Sequence, residues 1–385
     1  MIRKNKFVPG LMILTIFLAL GSSPSQAQFP AQAQSGNPTP LTSKELVRLV
    51  YELPAHPEKR DELVEQIRTR GLSFPLTDGL RSLVATKSGN DALLRRTMEE
   101  AERRRLNPKE AALPPEIEGV ELLEKTRAAT LAAAEKMPDF LVKQQITRSQ
   151  AFGKTNNWNV YDRLSIAVSY RANGGEQYKL LAINGAPPDT QAAEGSDYSA
   201  KLGGTTSTGE YVSILSELFR LERQAKFRLV DTDLLRNRRT LVYEFEVKRE
   251  FSAQSIKAGG AVEASVVTGY RGRIWIDRET NRVLRLEDVS IEIPPDFPVT
   301  AASSVIDYDW VSINEQQHLL PSRAIIQLSA REGPRVIQTR NDILFRGYRK
   351  FGAELKIIDI DDKDFPPDEP EKSNPPPKPV KPGKP

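Results

Sequence analysis

The chain has 385 residues, with 55 lysines and arginines against 51 aspartates and glutamates, two histidines and no cysteine. That length is enough for one large or two modest domains, and the missing cysteine excludes disulfides, a thiol nucleophile, a lipid-modified N-terminus and Cys-ligated zinc. Without Arg3, Lys4 and Lys6 of the leading segment, 52 positive side chains face 51 negative ones, too even a balance for a general nucleic-acid binder.

Residues 1–27 read as a secretory signal peptide. Arg3, Lys4 and Lys6 precede an apolar run from Phe7 to Leu20, and Ser25-Gln26-Ala27 presents small residues for cleavage after Ala27, with Ala33 as a weaker alternative. The run falls short of the ~20 apolar residues a spanning helix needs, and Pro9 and Gly10 interrupt it. The expected mature chain therefore has no transmembrane span and lies in the periplasm or outside the cell. Residues 28–40, rich in Gln, Ala, Pro and Ser, are expected to be a flexible segment.

A small helical module is expected over 41–105. Thr42-Ser43-Lys44-Glu45 is a capping box opening a helix with Leu46, Val47, Val50 and Leu53. A second helix follows Pro57, carries Leu63, Val64 and Ile67, and stops at Gly71. Thr77-Asp78 starts a third, and Asn90 or Asp91 a fourth with Leu93, Leu94, Met98 and Ala101 inward. The run Arg103-Arg104-Arg105 after Glu99, Glu100 and Glu102 reads as a solvated helix end, where positive charge suits the helix dipole. A linker covers 106–114. A longer alanine-rich helix follows from Pro115 to Met137, with Ile117, Leu122, Leu123 and Leu131 as packing residues, stopped by Pro138.

From Asp139 the apolar period changes to two, so residues 115–360 form one α+β domain of helices and antiparallel strands. Asp162–Tyr170 and Glu176–Asn184 pair as a hairpin. Further strands fall near Lys226–Thr232, Arg239–Glu250, Val266–Asp277, Arg282–Ile293, Ser304–Ser312, Leu319–Ala330 and Arg335–Phe345. Short turns join them, the mark of an antiparallel meander. Ser207-Thr208-Gly209-Glu210 is a second capping box, opening a helix through Leu221 whose Tyr211, Ile214, Leu215, Leu218 and Phe219 make a broad apolar face. Residues 361–385 are a proline-rich segment with no apolar face, expected to be a disordered tail.

The hairpin from Gly269 to Glu287 places Ile274 and Ile276 on one face and Arg271, Arg273 and Trp275 on the other. Trp275 under arginine stems is expected on the convex exterior of a curved sheet. Catalytic patterns are missing: there is no G-x-S-x-G, H-E-x-x-H or phosphate-cradling glycine loop. His56 reads as an exposed turn residue, and His318 sits in a second turn. Asp231/Asp233 and Asp307/Asp309 read as solvent-facing acids of strand ends, and the Asp359 to Asp364 cluster lacks the glycine and terminal glutamate of a calcium loop. No catalytic residue, cofactor or metal site is assigned.

"GRIWIDRETNRVLRLE" and "VIDYDWVSINEQQHLLPSRAIIQL" resemble the strand pairs of the outer-membrane lipoprotein carrier superfamily over 115–358. The resemblance implies an open half-barrel, a curved antiparallel sheet wrapped around helices, and a concave face able to hold an acyl chain, lipid or lipidated peptide beside Tyr211, Ile214, Leu215, Leu218 and Phe219. The leading expectation is an exported, non-enzymatic binding protein of the cell envelope. The alternative is an envelope interaction or sensor protein with a filled core, engaging another protein through its helical module and proline-rich segment. A hydrolase using an unrecognised carboxylate pair is third.

Overall fold

The computed structural model describes residues 39–109, 112–153, 157–172, 175–188, 211, 213–258, 264–333, 335–352 and 357–365. The expected signal peptide, the capping box at Ser207-Thr208-Gly209-Glu210 and the proline-rich stretch from residue 366 lie outside these.

Four helices come first: α1 (Ser43–Glu52), α2 (Arg60–Arg70), α3 (Asp78–Lys87) and α4 (Ala92–Leu106). Thr42, Thr77 and Asp91 cap α1, α3 and α4, each side chain accepting a backbone N–H of the first turn. Gly71 ends α2 in the left-handed region, at φ 68°. Their apolar faces close on a cluster of their own, including Leu46, Val50, Ile67, Val84 and Leu94.

α5 (Glu116–Glu135) stops where Lys136 and Pro138 interrupt its ladder. It buries Gly119, Leu122, Thr126 and Thr130. This choice of face turns Ile117 outward, 66% exposed, against the expectation that it packs. The reason is close approach: a Cβ on Gly119 would lie 2.9 Å from Leu229, and the Gly119 carbonyl accepts from the Tyr243 hydroxyl at 2.7 Å.

Twelve strands follow among the described residues: β1 (Phe140–Phe152), β2 (Asn159–Arg171), β3 (Gly175–Ile183), β4 (Lys226–Leu235), β5 (Arg238–Val247), β6 (Ser255–Ala258), β7 (Ala264–Val267), β8 (Gly269–Asp277), β9 (Arg282–Ile291), β10 (Val299–Ile313), β11 (Gln316–Glu332) and β12 (Arg335–Lys350). Ten of them form one curved, unclosed antiparallel sheet in the order β3-β2-β1-β12-β11-β10-β9-β8-β5-β4. The meander expectation holds along most of this order. It breaks at β1, which pairs with the last strand, β12, as well as with β2, and at β5, which pairs with β8. β6 and β7 form a separate ribbon.

One register row explains the core. Ile183, Leu164, Ile146, Ile343, Ala324, Ile306, Leu286, Ile274, Tyr243 and Leu229 stand side by side across all ten strands on the concave face. Period two places the next residue of each strand on the opposite face. α5 and α6 (Ser213–Phe219) pack into the concavity. The helix expected to run through Leu221 ends earlier, because Arg220 is extended and a single 3-10 turn, Leu221–Arg223, follows.

The expected disordered tail does not begin at Asp361. Ile357, Ile360 and Phe365 pack with Leu141, Ala167, Leu181 and Phe351 on the outer face of β1–β3. The acids between them meet cations: Lys143 lies 2.9 Å from Asp362, and Lys179 donates to the carbonyls of Ile358 and Ile360 at 2.7 and 2.6 Å. No helix among the described residues is long and apolar enough to cross a membrane.

Candidate functional site

The concave face was the expected ligand site. Tyr211, Leu215, Leu218 and Phe219 are 2%, 8%, 0% and 1% exposed, and Ile214 is half-buried against the same core. Tyr211 sits edge-on to Phe345 at 5.3 Å, tilts against Phe140 at 5.6 Å, and accepts from the Gln144 amide at 2.9 Å. Phe219 stacks on Phe227 at 5.6 Å. Ile274 and Ile276 are fully buried in the same cluster. Farther along the sheet the β6–β7 ribbon lays Ile256 against Phe297 and Val299, with Ala302, Leu328 and Ala330 packed around them. These side chains pack on the sheet and on one another as parts of one apolar core. A cleft of about 490 Å³ bounded by Lys248, Arg249, Glu250, Val267 and Glu292 is lined largely by charge and includes none of the expected ligand residues.

The convex face departs most from expectation. Trp275 does lie there, with the Arg96 and Arg285 guanidinium groups 5.9 and 5.8 Å from its ring. It is not exterior, however: it is 2% exposed, and its indole N–H donates to Asp233 at 2.9 Å. One register row runs Asp231, Val242, Trp275, Arg285, Asp307; the next runs Arg228, Glu244, Arg273, Glu287. The helices supply the opposite charges. Arg103 pairs with Asp233 and Arg104 with Asp231. Arg68 (3.3 Å) and Arg96 both reach Glu287, and Glu65 receives Arg273 at 2.9 Å. The arginine run of α4 is therefore not a solvated end, and Asp231 and Asp233 are not solvent-facing acids. Each set looked solvated only because its partner lay far away in sequence.

Electrostatics follow from this packing. Burial, then the like charge of Arg285, bring Arg96 down to about 10. Glu100, 3.2 Å from Arg96, is raised by burial and then by Asp233; Asp231 is raised by burial although Arg104 opposes it. Burial would also raise Asp307, but Arg285, bonded through both oxygens at 2.7 and 3.0 Å, outweighs it and holds the carboxyl below its ordinary value. His56 is exposed beside Glu58, as expected. His318 is not in a turn but in β11, where burial and then Arg282 lower its pKa. The missed residues, Arg68, Arg96, Arg103, Arg104 and Glu287, left one legible signal. An arginine run at a helix end and an Asp-x-Asp strand are complementary motifs within one chain.

No protein-family model matches the sequence, and no curated protein matches it significantly. Among solved structures, the chain is similar to a DUF1329 family protein from Desulfovibrio piger at 10% identity, covering 62% of this chain and 98% of that one with a TM-score of 0.28. It is also similar to MucB in complex with MucA(peri), at 10% identity, 56% and 92% coverage and a TM-score of 0.15. The Pseudomonas aeruginosa MucA/MucB complex matches at 11% identity, 57% and 93% coverage and a TM-score of 0.17.

Proposed function

We propose that the protein is an exported, non-enzymatic protein of the cell envelope that acts by engaging another protein, its half-barrel interior serving as a folding core. The packing of the concave face supports this reading: Tyr211, Leu215, Leu218 and Phe219 are buried as members of the sheet's own apolar core. The leader at 1–27 supports export. Three of the carboxylates considered for catalysis support the non-enzymatic part, since Asp231, Asp233 and Asp307 are each matched by an arginine.

Titration with a fluorescent long-chain fatty acid tests the reading, alongside mass spectrometry of lipids co-purifying with the mature protein. The expected result is no saturable binding and no stoichiometric lipid. One-to-one binding that Leu218→Ala abolishes would restore the carrier reading. N-terminal sequencing of protein from the native host is expected to begin at Gln28, and a cytoplasmic pool retaining Met1 would remove the export part.

A further inference from the structure

Two apolar clusters in this molecule meet through charge. α1–α4 enclose a cluster running from Leu41 to Ala101 that includes no residue of the sheet, and the core of the sheet includes none of theirs. The join is the convex seam, where Arg68, Arg96, Arg103 and Arg104 face Glu287, Asp233 and Asp231 around Trp275. On α4 the arginines recur at i, i+7 and i+8, two turns apart along one stripe. An interface made of polar contacts permits relative motion of the parts it joins more readily than an apolar one.

We propose that the convex face of β4, β5, β8 and β9 is a docking surface for a basic helix. α4 is its resident occupant, and a partner helix with arginines at i, i+7 and i+8 displaces the helical module to bind there. The inference rests on the reading of the chain as an interaction protein, and it names the surface and the partner's chemistry. Charge complementarity selects the occupant. Asp231, Asp233 and Glu287, standing beside the sheet's own Arg273 and Arg285, attract guanidinium groups, and the Trp275 ring receives that of Arg96 from α4. Displacement exchanges like contacts for like, so a partner's gain over α4 comes from its own flanking contacts.

The test uses the full mature chain with Trp158→Phe and Trp310→Phe, leaving Trp275 as the only indole. Arg103→Glu with Arg104→Glu is expected to raise acrylamide quenching of Trp275 by about threefold, since exposure follows loss of the opposing charges. Adding Asp231→Arg and Asp233→Arg is expected to return quenching toward the starting value. A fluorescein-labelled peptide of the α4 sequence, Ala92–Leu106, is expected to bind the Arg103→Glu/Arg104→Glu chain about tenfold more tightly than the chain with native arginines, whose face is already covered. Asp231→Arg and Asp233→Arg are expected to abolish that binding. Hydrogen exchange of Gly269–Asp277 without the tryptophan replacements gives the same answer should those replacements unfold the chain. Trp275 and β8 equally protected before and after charge reversal would overturn the proposal, as would peptide binding indifferent to Asp231 and Asp233. Acyl-probe binding reports on the filled core separately, so either reading can fail alone.

Discussion

Single residues set the geometry of the seam. Gly272 in β8 has no alternative: a Cβ there would lie 1.8 Å from the Glu287 carbonyl oxygen of β9. Gly272→Ala is expected to cost about 3 kcal/mol or more, above ordinary overpacking, because the clash is with backbone that cannot rotate away. A denaturation midpoint unchanged by it would show that the two strands are farther apart. Asp307 sets a pH dependence. Its folded pKa lies below the unfolded one, so its pair with Arg285 stabilises the fold above the unfolded carboxylate value of about 3.9, and that contribution disappears as pH falls through the lower folded value. Asp307→Asn is expected to destabilise by about 3 kcal/mol near neutral pH, where it leaves a buried guanidinium without its charge partner. Less is lost in acid, once the pH has fallen below the lowered folded value and Asp307 of the unmodified chain is protonated. Equal losses at both pH values, from urea melts, would assign Asp307 a packing role only.

At the scale of elements, α6 and the C-terminal turns decide what fills and what covers the sheet. Leu218 is fully buried, whereas Ser213 on the same short helix is exposed. Leu218→Ala is expected to cost about 2–5 kcal/mol, toward the upper end if the concavity is as full as its aromatic neighbours indicate. Ser213→Ala is expected to stay within about 0.5 kcal/mol. Similar small losses in both variants would mean the helix is not anchored by its apolar stripe. The C-terminal segment divides at Phe365. Deleting 366–385, a stretch of prolines and charges, is expected to leave the thermal midpoint unchanged. Phe365→Ala is expected to lower it by several degrees, since the ring closes the cluster over Leu141 and Phe351. A deletion as costly as the point change would show that the proline-rich stretch packs too.

For the whole molecule, separate apolar clusters joined by ion pairs predict separable melting. Ile67→Ala is expected to shift an early denaturant transition, belonging to α1–α4, and to leave the later one in place. Phe345→Ala should do the reverse. A single transition shifted equally by both would show that the seam couples the two parts into one cooperative unit.

The helix caps Thr42, Thr77 and Asp91, Gly71, the change of apolar period at Asp139 and the Ile274/Ile276 alternation are local statements, and each appeared in the structure as the sequence expressed it. Backbone propensity, capping and burial of one face act over a few residues, so sequence by itself determined the helices, most strands and the antiparallel class. What it could not express was partnership across long separations. Whether β1 meets β2 and β12, whether Arg103 meets solvent or Asp233, and whether the concavity is left open or filled by Tyr211 and Phe219 depend on contacts between residues tens to hundreds of positions apart. An arginine beside water and an arginine over a buried tryptophan have the same neighbours in sequence. Only the tertiary packing, which removes water from one side of the sheet by setting helices against it, made the convex face an internal seam.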